Sequence, residues 1–155
     1  MTLVAAAERQ DGPGIPFQDA LAGKLEGRWN VVRNIRGKEM ASTTEVAWVL
    51  QHQFLRMHMA SVEPGYEADA YVGLSHAGKH YVIHWMDVWG GDFAMSGKGT
   101  RRGDSIEFRF PGEDGDFYNT FSYERAADRW SMKLENADKA GKRTPFATER
   151  WERAK

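Results

Sequence analysis

The chain has 155 residues, 41% apolar and 12% aromatic, a length and greasiness that fit one domain with its own core and exclude disorder. With 21 Lys+Arg against 22 Asp+Glu it lacks the basic footprint of a nucleic-acid binder, and zero cysteines exclude disulfides and thiolate metal sites, in keeping with a reducing, cytoplasmic setting. No apolar run approaches the ~20 residues that span a bilayer, and the N-terminal MTLVAAAERQDG has neither the basic region nor the apolar length of a secretory signal.

Residues 1–15 show no sustained period and carry Gly12, Pro13 and Gly14, so they read as a flexible arm ahead of a single domain over 16–155. Phe17, Leu21 and Leu25 then fall at i, i+4 and i+8, one stripe of a short helix ended by Gly23 and Gly27. From there turn residues recur at Arg36-Gly37-Lys38, Glu63-Pro64-Gly65, Ala77-Gly78-Lys79, Gly90-Gly91-Asp92 and Arg102-Gly103-Asp104. They return at Pro111 to Asp116, Ala127-Asp128 and Ala140-Gly141-Lys142. The interval of roughly 9 to 13 residues is the rhythm of an antiparallel meander, with one longer span, 38–63, that holds two strands broken near Gln51-His52-Gln53. Between turns the pattern alternates. Ile106, Phe108 and Phe110 oppose Ser105, Glu107 and Arg109, and Trp130, Met132 and Leu134 oppose Ser131, Lys133 and Glu135. Period two with one greasy face means strands with one side on a core.

About ten such strands follow from this reading. A sheet of that many consecutive short strands leaves no open edge if it closes on itself, and a short helix before the first strand can plug one end. The expectation is a mainly β, up-and-down antiparallel barrel with an N-terminal capping helix; a β-sandwich is the competitor.

Gly27-Arg28-Trp29, after a short helix and at the start of the first strand, resembles the G-x-W signature of lipocalins and the wider calycin superfamily. That resemblance implies that Trp29 closes the barrel base beneath a basic side chain of the last strand. Within Thr148-Glu149-Arg150-Trp151-Glu152-Arg153 the basic residue is Arg150 or Arg153, and Arg150 is preferred because it shares parity with Phe146. The chain from about 17 to 155 also resembles a bacterial calycin-like family of unknown function, through Leu25 to Trp29, Phe54-Leu55-Arg56, Lys79-His80-Tyr81, Trp85-Met86-Asp87, Gly99-Thr100 and Glu149 to Arg153. Nitrobindin-like haem barrels are similar in layout, but they ligate iron through a His on a late strand. No His follows His84 here, so no haem or other cofactor is expected.

The informative residues are polar ones sharing a parity with greasy neighbours: Arg33 with Trp29, Val31 and Ile35; Asp87 with Tyr81, Ile83, Trp85 and Trp89; Asn119 with Phe117, Phe121 and Tyr123; Thr148 with Phe146. A buried charge must be paired, so Arg33 and Asp87 could satisfy each other as a structural ion pair, or anchor a ligand. With Trp48, Met57, Trp85 and Tyr123 as walls, Arg33, Asp87 and Asn119 complete the candidate ligand site. The segments 54–60 and 81–89 are apolar on both faces, leaving open which parity of 81–89 faces inward and implying a homodimer that covers the outer one. His76, His80 and His84 are too widely spaced along a strand to share a metal, and His52 and His58 have no Cys or paired Glu near them in sequence, so no metal site is expected.

Composition and pattern therefore point to an intracellular barrel that binds a small apolar or amphipathic molecule. The alternatives are a calycin-fold isomerase, cyclase or lyase with Asp87 or His84 as general base and Arg33 stabilising negative charge, and a solid barrel acting as an interaction module.

Overall fold

A computed structural model describes residues 14–63, 65–77 and 79–155; most of the arm expected over 1–15 lies outside them. Ten strands follow one another among these residues: β1 (Gly27–Ile35), β2 (Lys38–Val49), β3 (Phe54–Ser61), β4 (Glu67–Ser75), β5 (His80–Asp87), β6 (Met95–Arg102), β7 (Ser105–Phe110), β8 (Phe117–Glu124), β9 (Arg129–Ala137) and β10 (Arg143–Arg153). Each pairs antiparallel with its sequence neighbours, and β1 pairs with β10 to close the barrel. This is a closed ten-stranded meander, compatible with a calycin-like fold, and closure leaves no sheet edge unpaired.

The capping helix is replaced by a four-residue 3-10 turn, Ala22–Leu25, and no α-helix occurs among the described residues. The expected stripe is buried all the same: Phe17, Leu21 and Leu25 all lie in the core. What shortens the helix is local chemistry. Asp19 Oδ1 accepts the backbone N–H groups of Leu21 and Ala22 at 2.9 and 2.8 Å, offering the chain an alternative to α-helical bonding. With three residues per turn, Ala22 and Leu25 then point the same way, into the barrel.

Large side chains fill the middle of the lower barrel, a pocket of ≈ 460 Å³ opens at its rim between Asp19, His76, His80, Tyr81 and Arg101, and the upper end is hollow. At the bottom, Trp29, Trp130 and Trp151 are fully buried, with Leu55, Met57, Ile83, Phe108 and Phe121 above them. Two indoles fasten the turn as a plug: Trp29 Nε1 donates to the carbonyl of Leu25 at 2.7 Å and Trp130 Nε1 to that of Lys24 at 3.2 Å. The basic residue over Trp29 is Arg153, not Arg150. Its guanidinium carbon lies 3.9 Å from the indole centroid, Nε donates to Asp128 at 3.0 Å, and Nη1 and Nη2 donate to the carbonyls of Glu26 and Lys24. Gly27 makes this reach possible, because its φ of 126° suits glycine and a Cβ there would collide with the Arg153 guanidinium.

The error over Arg150 has one cause, a β-bulge in β10. Pro145 pairs with Glu135 while Ala147 pairs with the very next residue of β9, Leu134, leaving Phe146 as the extra residue. Parity therefore inverts across the bulge. Phe146 packs on Phe117 at 6.1 Å, and beyond it Ala147, Glu149 and Trp151 turn inward while Thr148 and Arg150 face solvent.

Candidate functional site

Above the indole layer, two adjoining lobes share Arg33, Ile35, Tyr66 and Trp89. The first, of ≈ 210 Å³, lies between β1, β2 and β3, where Ser42, Thr44, Met59 and Ser61 line it. The second, of ≈ 190 Å³, reaches across to Trp85, Asp87, Phe110, Phe117, Asn119 and Phe146. Each alone is smaller than the ~300–1,000 Å³ of a typical small-molecule site, and joined they enter that range. The cavity exists because small residues occupy upper inward positions whose lower counterparts are large.

One ion pair crosses the cavity wall. Register places Arg33 opposite Glu149, so their side chains meet on the inner face. Arg33 Nε donates to Glu149 Oε1 at 2.6 Å, Nη2 donates to the same oxygen, and the Trp151 indole N–H donates to Oε2 at 2.7 Å. The pair is well buried, with side-chain exposures of 18% for Arg33 and 4% for Glu149. Burial alone would lower the Arg33 pKa, but Glu149 and the nearby Tyr66 oxygen hold it above its ordinary value. The other face of the guanidinium lies 5.4 Å from the Tyr66 ring centroid. Burial pushes the Tyr66 phenol up, and Asp87 adds to this, while Arg33 and the Trp85 indole pull it back; the net shift is upward.

The partner expected for Arg33, Asp87, does something else. It ends β5 at the mouth of the second lobe, where Oδ1 accepts the backbone N–H of Trp89 at 3.0 Å, and among the described residues it has no ion-pair partner. Two buried polar atoms also lack a hydrogen bond: Thr44 Oγ1 in the first lobe and Asn119 Oδ1 in the second. Leaving such a group unsatisfied costs about 1–3 kcal/mol, so both positions ask for a partner.

The structure thus brings together Arg33, Trp85, Asp87 and Asn119 of the seven ligand candidates. The other three belong to the lower barrel. Met57 is a core residue, Trp48 stacks on His52 at 3.8 Å and meets Phe17 edge-on at 5.4 Å, and the Tyr123 hydroxyl donates to Asp128 at 2.9 Å near the barrel floor. Tyr81, Ile83 and Trp85 are the inward parity of β5. His84 is therefore outside the barrel, exposed and 2.8 Å from Ser96 Oγ, and cannot serve as an interior base. Thr148 is likewise exposed. Sequence parity missed Glu149, because of the bulge, and Tyr66, because it sits beside a turn; Trp89 shared the parity of Asp87 but was not among the candidate walls. The outer face of β3 is less apolar in space than in sequence: Arg56 donates to Asp69 at 3.1 and 3.0 Å, and His58 lies 2.9 Å from the same carboxylate.

No group of His, Cys, Asp and Glu capable of holding a metal occurs among the described residues, and none of their helices is long and apolar enough to cross a membrane. Comparison with protein-family models and with curated proteins finds no match to this chain.

Proposed function

We propose that this chain is a calycin-like binding protein of the cytoplasm that holds one small apolar or amphipathic molecule in the upper half of its barrel. The observation that carries the reading is an apolar-walled void at the upper end of the barrel with a few polar side chains, Arg33, Tyr66 and Asn119 among them, in its lining. Apolar walls with a small number of placed polar groups are the usual make-up of a small-molecule site. Arg33 and Tyr66 fix the ligand between the lobes, and Trp89, 65% exposed and 5.4 Å from the Tyr66 ring, forms the rim. A homodimer through the outer face of β5, where Met86 and Val88 are exposed, belongs to the same proposal, and light scattering at micromolar concentration checks it.

The test is titration with N-phenyl-1-naphthylamine, a neutral fluorophore. Saturable one-to-one binding is expected, weakened at least about tenfold by Ser42→Phe or Asn119→Phe, each of which fills one lobe. Absence of saturable binding, or binding indifferent to both fillings, overturns the proposal. Native mass spectrometry of protein purified from its own host then identifies what the cavity retains.

A further inference from the structure

The charges and aromatic walls of the second lobe select the sign of its ligand. Arg33 looks like an anion anchor, but Glu149 already holds its charge through two donors to one oxygen. A ligand carboxylate brought to Arg33 would have to displace that contact or settle beside a second carboxylate that is 4% exposed. The one guanidinium of the two lobes is thus held by Glu149, and the carboxylate without an ion-pair partner among the described residues is Asp87. Asp87 ends β5 at the mouth of this lobe, where, among the described residues, its carboxylate accepts only the backbone N–H of Trp89. The walls agree. Trp85, Trp89, Phe110, Phe117 and Phe146 surround the lobe, and aromatic faces carry the negative end of a quadrupole.

We propose that the second lobe is a cage for an organic cation, receiving the protonated amine or quaternary ammonium head of a ligand whose apolar remainder extends toward the first lobe. Asp87 supplies the counter-charge and the aromatic walls supply cation–π attraction. This assignment rests on the binding reading above and adds the chemical class of the ligand. A neutral or anionic ligand of the same shape would forgo the attraction of Asp87 and of the aromatic faces.

The experiment displaces bound N-phenyl-1-naphthylamine with three matched probes: phenethyltrimethylammonium, its neutral isostere (3,3-dimethylbutyl)benzene, and 3-phenylpropanoate. The cation is expected to bind about tenfold tighter than the isostere, with the anion weakest. Asp87→Asn should bring the cation-to-isostere ratio toward one, Asp87→Glu should retain it, and Asp92→Asn, an exposed charge on the same loop, should leave it unchanged. If the fluorophore binds but the anion or the isostere displaces it as well as the cation does, the charge preference falls and the binding reading stands. A ratio that survives Asp87→Asn also overturns the cage. If neither fluorophore nor probes bind, the binding reading falls and takes the cage with it.

Discussion

Replacing Glu149 by Leu removes the acceptor of Arg33 Nε (2.6 Å) and of the Trp151 indole (2.7 Å) at one stroke. Stranding a buried charge costs about 3–5 kcal/mol. Arg33 keeps 18% exposure and can draw water from the cavity, which favours the lower end, while the orphaned indole N–H adds about 1–3 kcal/mol. The expected loss is about 4 kcal/mol, against a total stability of about 5–15 kcal/mol for a domain of this kind. Arg33→Met strands the more buried partner and should cost about 3 kcal/mol, moderated because Trp151 still donates to Glu149. The double variant Arg33→Met/Glu149→Leu leaves no charge behind and replaces the pair by apolar bulk, so it should lie within about 2 kcal/mol of the wild type. Urea titrations followed by tryptophan fluorescence measure all four proteins, and equal slopes license the comparison. A coupling free energy of at least about 3 kcal/mol is the expected result. Costs that simply add, or single variants losing under about 1 kcal/mol, would refute the ion pair as described.

Arg153→Met should lose about 1–3 kcal/mol, because it removes the cation from the Trp29 face and the donors from two carbonyls of the floor, whereas Arg150→Met should stay within about 0.5 kcal/mol; thermal melts of the two variants decide between them. Asn119→Leu should stabilise the unliganded protein by about 1 kcal/mol while weakening the retained ligand, so a fall in melting temperature without ligand counts against the orphaned acceptor. Deleting Phe146 removes the bulge and one wall of the second lobe but keeps Ala147, Glu149 and Trp151 inward and should leave a folded barrel, whereas deleting Thr148 turns Glu149, Trp151 and Arg153 outward and should abolish folding; near-UV circular dichroism separates the two outcomes. Arg143 beside Glu107 and Arg153 beside Asp128 hold both carboxyls below their usual range. Since the folded-state values are the lower ones, the stability these groups lend is complete above their unfolded values near 4 and vanishes as pH falls through the folded ones, so urea midpoints should drop below about pH 4. Midpoints that rise on acidification would contradict those pairings.

The strand rhythm was legible because each turn carries its own chemistry and each strand one greasy parity. Ile106, Phe108 and Phe110, like Trp130, Met132 and Leu134, face the core as alternation requires. Trp29 as floor was legible through the glycine two residues before it, and the φ of Gly27 shows what that glycine is for. Alternation fails wherever the count of residues is not the count of pleats. In β10 a single extra residue exchanges the roles of Thr148 and Glu149 and of Arg150 and Arg153, and nothing in Arg143 to Arg153 announces it except a proline, which cannot complete the ladder. Helical spacing misled in a related way. Phe17, Leu21 and Leu25 do bury one face, but Asp19 ties down two amides and the segment tightens into a 3-10 turn. Partners across the barrel, such as Glu149 for Arg33, depend on closure between the first and last strands, which no local pattern encodes.

The hollow top is a choice made residue by residue, and its cost is what argues for a task. The lower barrel shows that this chain can fill its interior: Trp29, Trp130 and Trp151 leave no space between them and the plug. At the upper inward positions stand Ser42, Thr44, Ser61 and Asn119, and two of these bury oxygen without a partner. Leucine or phenylalanine at the same sites would bury more apolar surface and orphan nothing, so the sequence forgoes several kcal/mol of available stability. Among the described residues, every other buried side-chain polar atom has a partner, and the two that lack one belong to residues of this upper lining; such local breaks are expected where a fold carries a site.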